Sequence, residues 1–122
     1  MYDLQYIPSV KILKIVLGGR WEPEEYERFE QDYLTKMHEL AGVDTYAILS
    51  DSRNFEVQSQ DVANRFTRLT TKRRDNLAAA AIVVSSMTAK MQASRTLASS
   101  KMEVFTDLES AQEWLGEKLK VA

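Results

Sequence analysis

The side chains that could do chemistry are few. The chain holds one histidine, His38, and no cysteine. A Ser-His-Asp relay has no candidate set, and thiolate nucleophiles, disulfides and cysteine-ligated zinc are excluded. A histidine-based metal site needs further ligands at recognisable spacing, and none surrounds His38. Carboxylates at positions 22, 24, 25, 27 and 30 crowd one stretch. There a helix dipole and solvent give them a sufficient role. No P-loop and no G-x-G-x-x-G pattern occurs, and Gly18-Gly19 alone does not make a phosphate loop. The expectation is a protein that binds rather than catalyses, with no cofactor and no metal.

Two clusters remain. Asp51-Ser52-Arg53-Asn54 follows the apolar run Thr45-Tyr46-Ala47-Ile48-Leu49-Ser50. If that run is a strand, the four residues form a loop at its carboxyl end, where open α/β sheets gather ligands and partners. Asp51 and Ser52 also suit a turn in which they hydrogen-bond to their own backbone. The second cluster is basic. Arg65, Arg68 and Lys72 fall at i, i+3 and i+7, with Arg73 and Arg74 next. Residues 53–101 carry nine Lys and Arg against three acids, although the whole chain has a net charge of −2. The three residues are an anion-binding expectation, and basic residues in a last helical turn also complement the dipole. The sequence pI of about 5.5 and the lack of interleaved aromatics argue against nucleic acid.

The elements that must position these residues follow from periodicity. Leu77-Ala78-Ala79-Ala80-Ala81-Ile82-Val83-Val84-Ser85 is the longest uncharged apolar run. It reads as a central strand covered on both faces, as in a parallel sheet. Tyr2, Leu4 and Tyr6 alternate with polar residues as a short strand, and Val10–Leu17 forms a second, antiparallel to it and ended by Gly18-Gly19. Pro23 opens a helix whose stripe is Tyr26, Phe29, Tyr33, Met37 and Leu40. Ser59 caps the next, with Val62, Ala63, Phe66 and Leu69 inward. Met87–Ala98 is a helix with a weak face of Ala, Met and one Leu, suited to close packing or to an adaptable partner surface. Lys101–Phe105 is a short strand near an edge. Thr106 and Glu109 form a capping box for a last helix carrying Leu108, Ala111, Leu115 and Leu119.

The order is β-β-α-β-α-β-α-β-α, an α/β fold with a mixed, mostly parallel sheet, in one domain over residues 1–122. The N-terminus shows no signal peptide and no apolar run reaches the length of a membrane span, so with the missing cysteines the expected location is cytoplasmic.

This order resembles the STAS domain, the fold of bacterial anti-sigma-factor antagonists. The tail Met102-Glu103-Val104-Phe105-Thr106-Asp107-Leu108-Glu109-Ser110-Ala111-Gln112-Glu113-Trp114-Leu115 is similar to the close of many small STAS-like proteins: a strand ending in Phe, an acidic turn and an Ala-x-x-Trp-Leu helix. The resemblance implies a regulatory or protein-interaction module. It also implies that Asp51 and Ser52 stand where antagonists carry an Asp-Ser pair whose serine is phosphorylated to switch binding. In those proteins a small residue, a glycine and a helix start follow closely; here Arg53–Gln58 intervenes. A phosphate on Ser52 would be expected to pair with Arg53. The expected partner face combines Asp51–Asn54 with the helix Met87–Ala98, and homodimerisation would use a sheet edge or that helix. The alternative is a small-ligand or lipid-binding protein of CRAL-TRIO-like character, with Arg65, Arg68 and Lys72 meeting an anionic headgroup at a membrane surface.

Overall fold

The computed structural model describes residues 1–97 and 101–121, with the backbone alone at 95–97. Its elements run β1 (Tyr2–Ile7), β2 (Ile12–Gly19), α1 (Pro23–Leu40), β3 (Tyr46–Phe55), α2 (Gln60–Thr70), β4 (Leu77–Val83), α3 (Met87–Leu97), β5 (Met102–Phe105) and α4 (Leu108–Lys120). The order is the expected one; Ala98, placed by the sequence reading in the third helix, lies outside the described residues.

Strand order in the sheet is β1-β2-β3-β4-β5. β1 runs antiparallel to β2, and every later pair is parallel. Each β-α-β crossover therefore steps one strand in the same direction. Right-handed crossovers of that kind lay successive helices on one face of the sheet. α1 and α2 indeed share a core with Leu13, Ile15, Leu17, Ile48 and Ala80 on that face. α4 packs Ala111 and Leu115 on the opposite face, against Ala47, Leu49, Ala79, Ala81 and Val83.

The alternation that produces these two faces is legible residue by residue. In β4, Ala80 belongs to the first core while Ala79, Ala81 and Val83 belong to the second. Both faces are covered, as the unbroken apolar run implied. The middle of the sheet is nevertheless β3, not β4, because β1 adds a strand on the far side and β5 closes the near one. β3 is also ten residues long and pairs with both β2 and β4.

Several boundaries differ from the sequence reading, β4 ending at Val83 and β5 starting at Met102 among them. β2 starts at Ile12, since Pro8–Lys11 form a turn in which Val10 N–H donates to the Ile7 carbonyl (3.3 Å) and Lys11 takes a left-handed φ of 59°. β2 also continues through Gly18 and Gly19, which pair with Asn54 and Phe55 after a register shift. The cap of α4 is Asp107, whose Oδ1 accepts from Ser110 N–H at 2.8 Å, rather than Thr106. Asp and Thr both cap well, and the backbone turned one residue later than the capping-box pattern suggested. Ser59 caps α2 as expected, accepting from Val62 N–H at 3.3 Å.

The α1 stripe is buried throughout: Tyr26, Phe29, Tyr33, Met37 and Leu40 are all at most 4% exposed. Phe29 meets Tyr2, Trp21, Tyr33 and Phe66 at ring-centroid distances of 5.2–5.6 Å. Trp21 is buried just ahead of α1 and donates from Nε1 to the Gly18 carbonyl at 3.0 Å. Asn76 fastens the end of α1 to the start of β4. Its Nδ2 donates to the carbonyls of Leu40 (2.9 Å) and Val43 (2.8 Å).

Candidate functional site

The Asp51–Asn54 segment is strand, not loop. It forms the carboxyl half of β3 and is held in register by Val16 opposite Asp51 and Gly18 opposite Asn54. The sequence reading ended the strand at Ser50 because polar residues follow. Strand pairing with β2 overrides that composition, since β2 itself runs on through its glycines. The consequence is an alternation the loop picture lacked. Ser50 and Ser52 point to the helix face, and Asp51 and Arg53 point to the other.

On the far face, Arg53 grips Asp51 with two parallel bonds, Nε to Oδ1 and a terminal nitrogen to Oδ2, both at 2.9 Å. The Arg53 guanidinium holds the Asp51 carboxyl below the usual carboxylate range, against the opposing effect of burial. Asp51 is thus a paired anion rather than an acid–base group. Arg53 is committed and faces away from Ser52, so a phosphate on Ser52 would not find it by strand geometry.

On the helix face lies a cleft of about 380 Å³, within the usual range for small-molecule sites. Its floor is Ile48, Ser50 and Ser52 of β3, Ala80 and Ile82 of β4, and Met102 of β5. Phe29 and Tyr33 of α1 wall its inner end. Phe66, Thr67 and Thr70 of α2 face Ala89, Gln92 and Ala93 of α3 across it. The space has a sequence cause. α3 turns alanines toward the sheet where a core helix normally offers Leu or Ile, and Ala80 likewise withholds volume from the floor. Burial pushes the Tyr33 phenol up to about 12, the Arg74 charge opposing more weakly. Among the described residues, no acidic or basic side chain lines the cleft.

The fold therefore brings Ser52 and α3, two parts of the expected partner face, to one site, while sending Asp51 and Arg53 to the other side of the sheet. Ser50, Thr67, Thr70 and Gln92 were not singled out by the sequence. The i, i+2 spacing of Ser50 and Ser52 was the available signal, once both were assigned to a strand.

The basic cluster divides. Arg65 sits over the Tyr26 ring at 4.7 Å and lies 3.7–3.9 Å from Glu30, Glu27 and Asp61. These partners draw Arg65 into a network between α1 and α2. Arg68 and Lys72 are exposed. Arg73 pairs with Asp75 at 3.1 Å, and the Arg74 Nε is buried without a partner among the described residues. His38 is exposed in the last turn of α1, and no group of His, Cys, Asp or Glu able to hold a metal occurs among the described residues.

A family model described as SpoIIAA-like matches residues 12–116, which takes in every element except β1 and the end of α4. The chain belongs to the SpoIIAA-like family. The resemblance of its element order to the antagonist fold is thereby confirmed. Among solved structures, it is similar to an uncharacterized protein of the DUF3478 family with a SpoIIAA-like fold from Shewanella loihica PV-4. The two share 21% identity, with a TM-score of 0.67 over 94% of this chain and 92% of the other. A search of curated proteins found no match. The SpoIIAA-like architecture accounts for the mostly parallel sheet, and no described helix is long and apolar enough to cross a membrane.

Proposed function

We propose that this SpoIIAA-like protein is a cytoplasmic, non-enzymatic binding module of one domain whose cleft takes a small apolar or amphipathic molecule. The observation that carries this reading is the cleft between the sheet and helices α2 and α3, lined chiefly by Ile, Phe, Ala and Met side chains. An apolar concavity of this size gains from every apolar surface that replaces water in it. The missing catalytic set supports binding rather than turnover.

Uptake of pyrene, a hydrocarbon whose fluorescence reports an apolar surrounding, tests the reading. The wild-type protein is expected to bind it, and Ile82→Trp, which fills the floor of the cleft, is expected to abolish binding while the circular dichroism spectrum is unchanged. Wild-type protein that leaves pyrene in water refutes the reading.

A second reading, a protein-partner surface, rests on the outer side of α3, where Met87 and Met91 are 63% and 57% exposed. Exposed methionines on a helix make an adaptable contact surface. Ser52 would act here as a switch residue whose phosphate alters the cleft rather than pairing with Arg53. Arg68 and Lys72 supply a weaker contact for an anionic lipid surface than the three-residue patch would have. A cross-linking experiment in the native cell that captures the same partner with wild type and with Met87→Ser/Met91→Ser counts against this surface.

A further inference from the structure

We infer that the cleft selects ligands with an apolar body and an uncharged, hydrogen-bonding head that docks on the Ser50–Ser52 hydroxyl pair. The inference rests on the cleft reading above and specifies its ligand.

The first ground is the gradient along the floor. Strand alternation places Ile48, Ser50 and Ser52 in sequence on one side of β3. Their β4 neighbours in the cleft remain apolar: Ala80 stands opposite Ile48 and Ile82 opposite Ser50. The floor thus turns from hydrocarbon to hydroxyl along β3, toward the carboxyl ends of the parallel strands, where Ser85, two residues beyond β4, also lines the cleft. A ligand lying along β3 has its apolar part at Ile48 and its head at the serines.

The second ground is the state of those hydroxyls. Ser50 Oγ and Ser52 Oγ lie 3.3 Å apart and share one hydrogen bond. Two hydroxyls bring two donors, and that bond uses one. One O–H and several lone pairs are left facing the cleft. Thr70 differs, because its Oγ1 already donates to the Phe66 carbonyl at 2.9 Å. One donor and ready acceptors suit an alcohol, an amide or a carbonyl.

The third ground is charge. Among the described residues no ionised side chain lines the cleft. The acid nearest in sequence, Asp51, is turned to the other face and gripped by Arg53. A carboxylate brought to the serines would trade its hydration for neutral donors with no cation beside them, and an ammonium would meet no anion. Burying either charge unpaired is costly, whereas a neutral head loses little.

Isothermal titration calorimetry with decanol, decanoate and decylammonium at neutral pH tests this, with pyrene as the headless reference. Decanol is expected to bind at least ~10-fold more tightly than either ion, a difference of about 1.4 kcal/mol. Ser50→Ala/Ser52→Ala is expected to weaken decanol by about the same factor, with pyrene affinity and thermal midpoint unchanged. Decanoate or decylammonium binding as tightly as decanol overturns the inference and leaves the cleft reading standing. Decanol binding that ignores the double substitution overturns the assignment of the head to the serines. Failure of all four probes, pyrene included, overturns the cleft reading and this inference together.

Discussion

Truncating an aliphatic side chain on each face of β4's neighbourhood should expose the difference between the two sides of the sheet. Leu115 of α4 is fully buried; its buried cluster partners are four alanines with Leu49 and Val83, and Ile12, Phe105, Leu108, Trp114 and Leu119 pack at the edge of the cluster. Leu115→Ala removes three carbons, worth ~2.4 kcal/mol of transfer at about 0.8 per methylene. Short alanine side chains cannot swing in to close the hole. A residual cavity of ~60 Å³ adds about 1.4 kcal/mol, for a total of ~4 kcal/mol. Ile82 projects to the helix face, half-buried, with the cleft already beside it. Ile82→Ala removes as many carbons, but part of that surface already faces the open cleft and no new enclosed cavity forms. Its cost should be ~2 kcal/mol. Urea unfolding followed by circular dichroism, with equal m-values, gives both numbers. The expected result is a ratio of roughly two to one. Equal losses would mean that Ile82 is packed as tightly as Leu115, and the argument from the cleft would fail.

Asn76→Ala should cost about 2 kcal/mol in the same assay, because it strands the Leu40 and Val43 carbonyls that its amide serves. Asn76→Asp, which has no N–H to donate when ionised, should give no rescue at neutral pH; near-normal stability of the aspartate variant would rule out the clamp. On the alkaline side, Tyr2 and Tyr33 are both raised to about 12, by burial first and, for Tyr2, by its hydrogen bond to Asp32. Their folded pKa lies above the unfolded one, so the stability they contribute is complete below the ordinary phenol pKa and is lost as pH rises toward about 12. Phenolate absorbance should accordingly lag at about pH 11 and catch up on unfolding, and simultaneous titration of all tyrosines near the ordinary value of about 10 would contradict it. On the acid side, Asp51 has a depressed pKa, so its contribution is present above the ordinary carboxylate value and disappears as pH falls through the folded one. Arg53→Gln should flatten the loss of urea midpoint between neutral and acid pH, and an unchanged slope would show that the pair does not act on stability.

Much of this protein was legible in the order of its residues. The nine elements, the inward stripe of α1 from Tyr26 to Leu40, the Ser59 cap and the doubly covered β4 all follow from local periodicity and cap chemistry, which depend on spacings of a few residues. The missing cysteines and the single histidine likewise narrowed the chemistry before any fold was known. Pairing decided what lay beyond that range. Asp51–Asn54 became strand because β2, some 35 residues earlier, continues through two glycines beside it, and only then did Ser52 and Arg53 part to opposite faces. The basic cluster dissolved for a similar reason. Arg65 is within reach of Glu27 and Glu30 only because α1 and α2 pack on the same face of the sheet. The cleft is the clearest case. Ala80, Ala89 and Ala93 read singly as good packing residues, and their shared consequence is a space. That space exists only where the strand and the helix that carry them face each other, since volume left unfilled belongs to a pair of surfaces and to no single stretch of sequence.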